Sequence, residues 1–431
     1  MRKVILLVCS LLLFHIFTLC CQASPLIPND DNIVIVIDPG HGGENLGTDS
    51  NAEFNEKDIN LITANALIEE LSKYPGITVY STRTEDVDLS LKERAVFAKK
   101  VNADFLFSLH YNASEKHTIF GAEVWIPLKA PYHAPAYQFA YLQLQEMEDM
   151  GLFIRGIKTR ANDNGNDYYG MIRECVARDI PAVIIEHCHV DEIRDSEFCS
   201  SEEMFKEFGR RDARAIATFL NLDNSFEQKL PVELQKLTAD DTISTTFNDY
   251  EAPDVCTIDV VNADYESGIL SVAVNAVDNS NHIQYYDYSI DGGCTYSIRY
   301  PWPDCDGLNG VSEPNIVIDI EIPENTVPKV IVRAYNKFDL LSDSNMLSAF
   351  ETFRPTPSDN SDVERFVEMY FNSEAYVTTE STEIVSTSTN EPILNRILNP
   401  KRFLLLFGFS IIWIITLILG TRVIKKIFKK V

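Results

Sequence analysis

The sequence is poor in basic residues and has no cysteine pair in a C-x-x-C arrangement. Its 37 Lys and Arg residues face 64 Asp and Glu residues, and a net charge of −27 excludes nucleic acid as an expected partner. The lack of C-x-x-C pairs leaves no thiolate zinc site to predict. Six cysteines lie beyond residue 23, and an even number permits disulfides in an exported protein. Cys294 and Cys305, which flank a loop rich in Asp and Pro, are the favoured pair.

An apolar segment near the N-terminus predicts export. Residues 1–23 contain two early basic residues, an apolar stretch and a small-residue cleavage site, which together indicate a secretory signal peptide. Lipidation at Cys20 or Cys21 is the alternative, and Leu19 before these cysteines disfavours it.

A second apolar segment, residues 403–421, is long enough to cross the hydrocarbon core of a bilayer. A basic tail at 422–431 follows it, and basic residues stay on the cytoplasmic side of a membrane. We therefore expect a single-pass protein of the cell membrane, with an extracellular N-terminal part and a cytoplasmic C-terminus.

The 431 residues are enough for two or three domains, and a hydrophobic content of 45% is enough for a substantial core. Residues 31–222 alternate strand and helix patterns, which is typical of a mostly parallel twisted sheet with helices on both faces. A polar linker at 223–252 precedes short alternating strands at 253–352, which favour a β-sandwich of the immunoglobulin or fibronectin type. Residues 353–402 are expected to form a polar stalk. The predicted fold is thus α/β, followed by an all-β Ig-like sandwich and a C-terminal transmembrane helix.

Three short apolar runs each lead to a residue that can bind a metal or move a proton. The first leads to His41, the second to His110 and the third to Glu186. Continuous Val/Ile/Leu runs are typical of buried parallel strands, and ligands bind beyond the carboxyl ends of such strands. These residues are therefore expected to meet in space. Two histidines with carboxylates at one sheet edge indicate a zinc hydrolase site.

Several segments of the same region carry a resemblance to a known family. They are 35–43 (IVIDPGHGG), 55–61 (NEKDINL), 81–84 (STRT) with Leu91 and Arg94, 108–113 (SLHYNA), 155–158 (RGIK) and 180–186 (IPAVIIE). In kind and in order they resemble the zinc-dependent N-acetylmuramoyl-L-alanine amidases, which cut bacterial peptidoglycan. The resemblance covers about residues 33–222, and several motifs in the family's order are far more specific than any one of them.

The resemblance implies Zn²⁺ as the cofactor, with His41, Glu56 and His110 as its ligands and Glu186 as the catalytic carboxylate. The helix dipole alone would explain an acidic residue in a first helical turn, so Glu56 is assigned to the metal only through the resemblance. Peptidoglycan is then the expected substrate. The bond cut would join the lactyl group of N-acetylmuramic acid to L-alanine.

Two substrate-binding residues are also predicted. Asn112, in the SLHYNA segment, is expected to orient the substrate or the groups around the zinc. Arg173 matches a position at which the family often has an arginine near the substrate, and a surface salt bridge is the equal alternative. The chain departs from the family just after the catalytic carboxylate, where it has His187 and His189. These histidines either contact the substrate, bind a second ion or lie beside the site.

Two other functions are left open by the sequence. One is a zinc hydrolase of different specificity, such as a peptidase or deacetylase, which would spare the lactyl–alanine amide. The other is a catalytically inactive wall-binding protein. Against the second, all three expected ligands and the catalytic carboxylate are present, whereas a degenerate copy is expected to lose at least one.

Overall fold

The computed structural model describes residues 32–48, 54–223 and 225–354. Its helices are α1 (Glu56–Leu71), α2 (Leu91–Lys100), α3 (His133–Asp149), α4 (Gly170–Val176) and α5 (Glu202–Phe219). The first strands are β1 (Ile33–Pro39), β2 (Ile77–Ser81), β3 (Phe105–Asn112), β4 (Ala122–Trp125), β5 (Ile154–Lys158) and β6 (Ala182–His189). The remaining strands are β7 (Val255–Asp264), β8 (Ile269–Val277), β9 (Ile283–Ser289), β10 (Tyr300–Pro301), β11 (Asn315–Glu321), β12 (Ile331–Asn336) and β13 (Leu341–Asp343). We call residues 32–252 the N-terminal domain and residues 253–354 the β domain.

A six-stranded sheet in the order β2-β1-β3-β6-β4-β5 forms the centre of the N-terminal domain. Strands β1, β2, β3 and β6 pair in parallel, but β4 pairs with β6 in the antiparallel direction, and β5 runs parallel to β4. The predicted mostly parallel sheet is therefore wrong, and the sheet is mixed. The reason lies in residues 113–121, which join β3 to β4 without a helix. A parallel neighbour would need a longer crossover, usually a helical one.

The sheet separates two apolar clusters, because successive residues of a strand point to opposite faces. On one face, Ile35 and Phe107 pack with residues of α1, α3 and α5. On the other face, Val36 and Leu106 pack with residues of α2 and α4. This packing buries β1, β3 and β6 along their length and brings their carboxyl ends to one edge.

The β domain consists of two antiparallel sheets, in the orders β10-β9-β12-β13 and β11-β8-β7. Every second residue of β8 and β11 is buried, as the two-residue period of a strand with one inner face requires. Val272 and Ile318 from one sheet share a core with Val332 from the other, together with Trp302. The immunoglobulin or fibronectin type of this domain stays a prediction.

The segment predicted as a linker, residues 223–252, packs against the rest of the N-terminal domain. Its apolar residues that pack on that domain's core are Phe226, Leu230, Leu234, Leu237 and Ile243. Gln138 Nε2 donates to Leu234 O at 2.6 Å, and Ile243 N donates to His133 Nε2 at 2.9 Å. The described residues of both domains belong to one compact unit.

Residues 355–431, which include most of the predicted polar stalk, lie outside the described residues. So do the predicted signal peptide at 1–23, the transmembrane segment at 403–421 and the basic tail at 422–431. Among the residues that the structure describes, no helix has the length and apolar character needed to cross a bilayer. The C-terminal transmembrane helix of the predicted fold class is thus not supported either.

Candidate active site

His41 lies in a sharp turn after β1, held by two arginines. Its φ of 60° is in the left-handed region, which is costly for a residue with a side chain and is found where neighbouring contacts impose it. Arg94 donates to Pro39 O at 2.7 Å and to His41 O at 2.6 Å. Arg83 donates to Gly40 O at 2.9 Å. These bonds satisfy three successive carbonyls and fix the position from which the imidazole projects.

Glu56, the first residue of α1, stands between the two candidate histidines. Its Oε2 lies 3.0 Å from His41 Nε2, and its Oε1 lies 3.0 Å from His110 Nδ1. The Nδ1 atom of His41 is 3.0 Å from Asn45 Oδ1, a contact that keeps Nε2 of the ring facing the carboxylate. The side chain of Glu56 is 1% exposed, whereas those of His41 and His110 are 23% and 20% exposed. The group is therefore open to solvent on the histidine side only.

The backbone fixes the Glu56 carboxylate in place. Thr48 N donates to Oε2 at 2.7 Å, and Tyr111 N donates to Oε1 at 3.1 Å. Burial alone would raise the pKa of Glu56, but hydrogen bonds from His110 and His41 hold that pKa well below its usual range. The carboxylate is therefore ionised and available as a ligand.

These three residues form a donor set suited to a divalent cation. Their ligand atoms all lie within 4.8 Å of one another. Two imidazoles and one carboxylate, with one open side, match the three-ligand arrangement of catalytic zinc sites. The residues present thus fit the metal that the sequence predicts.

Glu186 lies on β6 beside this donor set. In the sheet register it stands opposite His110 of β3 on one side and Glu123 of β4 on the other. Its Oε2 is buried and has no hydrogen-bond partner. Burial raises the pKa of Glu186 well above its usual value, and the neighbouring Glu56 and Glu123 raise it further. A buried, unpartnered carboxylate oxygen is costly, and a role in proton transfer would account for it.

The two predicted substrate residues make contacts within the protein. Asn112 Nδ2 donates to Glu123 Oε1 at 3.1 Å, and its amide oxygen accepts from the next backbone N–H at 2.9 Å. Arg173 Nη1 donates to the carbonyl of Asp167 at 2.8 Å, in the loop before α4. Asn112 is therefore linked to the residues around Glu186, whereas Arg173 supports a loop. Substrate contact stays a prediction for both.

His187 and His189 are buried behind the site. His187 Nε2 lies 2.9 Å from Asp212 Oδ2, and its Nδ1 lies 2.9 Å from His110 O. His189 Nδ1 lies 3.1 Å from Gly121 O. The two residues are 0% and 1% exposed. They hold β6 against its neighbours, and neither ring is open to a substrate.

Sequence reasoning missed the buried polar residues that support the His41 turn. Asp38 accepts from Arg94 Nη1 at 2.8 Å and from Ser108 Oγ at 2.8 Å. Burial alone would raise the pKa of Asp38, but the charge of Arg94 and these hydrogen bonds bring it below its usual value. A charged residue at the end of an apolar strand was the available signal, because such a residue needs a buried partner.

Glu123 was missed as well. Its Oε2 lies 2.7 Å from Arg155 Nε and 2.7 Å from Lys158 Nζ, and all three side chains are at most 3% exposed. Burial alone would raise the pKa of Glu123, but Lys158 and Arg155 hold it well below its usual range. The signal was an acidic residue in one apolar strand and two basic residues in the next, which pair only if the strands are neighbours.

Comparison with known proteins points to one family. The N-acetylmuramoyl-L-alanine amidase family matches residues 35–218. The N-acetylmuramoyl-L-alanine amidase CwlM of Bacillus licheniformis is 30% identical over 196 residues, which are 45% of this chain and 71% of that protein. The sporulation-specific N-acetylmuramoyl-L-alanine amidase of Bacillus subtilis is 29% identical over 191 residues, 44% of this chain and 69% of that protein.

Another curated relative is matched over a smaller share of its length. The chain covers 23% of the amidase AmiC of Escherichia coli, at 38% identity. The solved catalytic domain of CwlV, an N-acetylmuramoyl-L-alanine amidase from Bacillus (Paenibacillus) polymyxa, is 26% identical with a TM-score of 0.39. That alignment covers 44% of this chain and 99% of the solved domain.

The matched range contains the three candidate ligands and Glu186, and it extends over most of the CwlM relative. The chain therefore belongs to the N-acetylmuramoyl-L-alanine amidase family and is a peptidoglycan amidase.

Proposed function

We propose that this amidase depends on zinc, with His41, Glu56 and His110 holding the ion and Glu186 moving the proton. The contact of two imidazoles with the two oxygens of one buried carboxylate, at 3.0 Å each, carries the proposal. The bond hydrolysed would be the amide between the lactyl group of N-acetylmuramic acid and L-alanine.

The chemistry divides between the ion and the protein. Zinc, when bound, supplies Lewis acidity that polarises a carbonyl and makes water more acidic. Glu56 gives the donor set its negative charge, and the backbone N–H groups of Thr48 and Tyr111 keep its oxygens directed at the two histidines. The exposed sides of His41 and His110 leave the approach to the amide open.

The surroundings of Glu186 support its assignment as the proton acceptor. Its unpartnered Oε2 stands one strand away from His110, at the edge where the substrate would enter. Glu186 would take a proton from the attacking water and return it to the leaving amine of L-alanine. The same carboxylate thus serves as base and then as acid.

We also propose that both domains act outside the cytoplasmic membrane, since peptidoglycan lies there. Protease added to cells stripped of their wall should then degrade them. Protection of both domains while the membrane is intact would contradict this location.

The test uses purified protein on purified peptidoglycan, with and without a chelator, and reads the released products by mass. Chelator-sensitive release of stem peptides that begin at L-alanine, with lactyl groups left on the glycan, is expected. Zinc binding with release of other products would favour a peptidase or deacetylase, and zinc-free protein without turnover would favour a wall-binding protein.

Two variants separate the roles of the ion and the base. Glu186→Gln should retain zinc at the level of the unmodified protein and lose turnover by at least about 10²-fold, since only the base is removed. His41→Ala should lose both. Turnover by Glu186→Gln near the normal rate would contradict the role assigned to that carboxylate.

A further inference from the structure

The β domain is bonded to the edge of the N-terminal sheet. Strand β5 is an edge strand, and side chains of the β domain reach its backbone. Gln284 Nε2 donates to Arg155 O at 2.9 Å, and Lys337 Nζ donates to Ile157 O at 3.0 Å. The hydroxyl of Tyr285 donates to Phe120 O at 2.7 Å. The two domains therefore share one continuous interior.

A series of ion pairs runs through this contact, and its members are buried except for Asp339, whose side chain is 26% exposed. Asp339 Oδ2, from the β domain, lies 2.7 Å from Arg155 Nη2. The other side of the same guanidinium, Nε, lies 2.7 Å from Glu123 Oε2, which Lys158 Nζ also approaches to 2.7 Å. Arg155, Lys158 and Glu123 are between 1% and 3% exposed. Charges this deeply buried are tolerated only when each has its partner, so Asp339 is part of the balance.

The series ends beside the proposed proton acceptor. The second oxygen of Glu123, Oε1, accepts from Asn112 Nδ2 at 3.1 Å and from Trp125 Nε1 at 3.0 Å. The antiparallel register of β4 and β6 places Glu123 directly opposite Glu186. Residues opposite each other in adjacent strands have their side chains on the same face of the sheet. Glu123 therefore stands between the β domain and Glu186.

We propose that Glu123 is a positioning residue of the amidase and that Asp339 of the β domain keeps it in place through Arg155. This inference rests on the proposed function, because Glu186 is taken as the proton acceptor. Glu123 fixes the Asn112 side chain and borders the strand position of Glu186. Without Asp339, the Arg155 guanidinium loses its second carboxylate and keeps its hydrogen bond to Tyr285 Oη at 2.9 Å, so its hold on Glu123 is weakened. The β domain is in this sense a part of the catalytic apparatus.

The experiment uses the full chain and compares Glu123→Gln, Asp339→Asn and the double variant on purified peptidoglycan. Both single variants should lower kcat about 10- to 100-fold, the usual effect of losing a group that orients a ligand or base, with KM and zinc content unchanged. The double variant should lose no more than Glu123→Gln alone, because both changes interrupt one series of contacts.

Asp287→Asn is the matched control. Asp287 makes a bidentate pair with Arg333, at 2.7 and 2.6 Å, and both residues belong to the β domain. This variant removes a comparable ion pair that does not reach the N-terminal domain, so its kcat should be unchanged. An equal loss in the control would assign the effect to general destabilisation and overturn the inference.

The remaining outcomes are separable. If the unmodified protein turns over normally and Asp339→Asn has the same kcat, this inference alone is overturned. A loss of zinc, or a change confined to KM, overturns the positioning role. Absence of turnover in zinc-loaded unmodified protein overturns the proposed function and this inference together.

A second and independent observation concerns two cysteines. Cys188 Sγ and Cys199 Sγ lie 3.0 Å apart and are buried, although all six described cysteines are free thiols in the structure. We infer that these two form a disulfide when the protein folds in the presence of a disulfide oxidant. The two thiols lose two protons and two electrons, one S–S bond forms, and the oxidant's disulfide is reduced to two thiols. The bond would close the segment that follows Glu186.

The test is refolding with oxidised glutathione, because both thiols are buried once the protein has folded. Peptide mapping after alkylation should find Cys188 joined to Cys199, and the intact mass should fall by about 2 Da, the two hydrogens lost. Cys199→Ser should leave Cys188 open to alkylation. A linkage of Cys294 to Cys305 instead, or alkylation of Cys188 and Cys199 in the unmodified protein, overturns the inference.

Discussion

At the scale of single residues, the position of His110 depends on the missing side chain of Gly40. A Cβ atom built on Gly40 would lie 2.2 Å from His110 Cε1, far inside contact distance. Gly40→Ala is therefore expected to displace the ring and to lower zinc affinity by about 10- to 100-fold or more. Competition with a chromophoric chelator measures this affinity.

Gly165→Ala is the control for that change. Gly165 has φ +70°, and no atom lies within 4 Å of its Cβ position, so only backbone strain of about 1 kcal/mol is added. Its zinc affinity should match that of the unmodified protein. Equal affinities for Gly40→Ala and Gly165→Ala would contradict the assignment of His110 as a ligand.

Asp195 is expected to make stability depend on pH. Its Oδ2 accepts from Gly121 N at 2.7 Å and from His189 N at 2.8 Å, and burial raises its pKa to about 6. In the folded protein Asp195 then keeps a proton that it has already lost in the unfolded chain. The stabilisation that comes from this protonated carboxyl is complete below pH ~4 and is lost as the pH rises through about 6.

Asp195→Asn cannot titrate, yet it keeps an oxygen acceptor for both N–H groups. Relative to the unmodified protein, it should gain roughly 1–3 kcal/mol of unfolding free energy between about pH 4 and pH 7. Urea unfolding at several pH values measures the difference. A difference that stays constant with pH would contradict the raised pKa.

At the scale of elements, one side chain joins α2 to the end of β1. Arg94 pairs with Asp38 at 2.8 Å, with side-chain exposures of 3% and 2%. Arg94→Met leaves a buried carboxylate without its partner and should cost about 3–5 kcal/mol, in addition to loosening the His41 turn. Chemical denaturation measures the loss.

An exposed pair gives the contrast. Lys206 and Glu202 lie 2.7 Å apart on the surface of α5, with side chains 42% and 61% exposed. Lys206→Met should have little effect on the free energy of unfolding, as for other exposed helix pairs. Similar losses for Lys206→Met and Arg94→Met would mean that the buried pair contributes no special connection between α2 and β1.

The elements also show how far the sequence could be interpreted. Three buried apolar runs were enough to predict strands whose ends bring His41, His110 and Glu186 to one edge, since such runs form the interior of a sheet. The direction of β4 could not be predicted in the same way. An apolar run has the same pattern whether it pairs in parallel or antiparallel, and the helix-free connection before it was the only indication.

The partners of Glu123 are far from it in sequence. Arg155 is 32 residues away and Asp339 a further 184, and nothing in the local pattern of either segment indicates the pairing. Glu56 was assigned only through the family resemblance, because an acidic residue in a first helical turn is otherwise explained by the helix dipole. Contacts of this kind arise from tertiary packing, which local sequence does not encode.

At the scale of the whole molecule, the two domains should unfold together. The Arg155–Asp339 ion pair and hydrogen bonds to the β5 backbone cross their interface, whereas independent domains usually meet through smaller and more polar surfaces. Calorimetry of the unmodified protein should therefore give one transition for residues 32–354. Two separated transitions would contradict the continuous interior. Lys337→Met removes one contact to the backbone of β5, and it should lower the midpoint temperature of the single transition without splitting the transition in two.

The covered edge of the sheet has a consequence for recombination and engineering. Gly307 approaches β5 so closely that a Cβ there would lie 1.7 Å from Ile154 O. A protein ending near residue 252 would present this strand uncovered, with free N–H and C=O groups ready to add a strand from another molecule. Such a fragment would aggregate even with His41, Glu56 and His110 intact. The unit that can be exchanged between wall hydrolases is therefore the pair of domains. The change from α/β to all-β structure near residue 252 indicates a domain boundary, but that boundary is not a site at which the two domains can be separated.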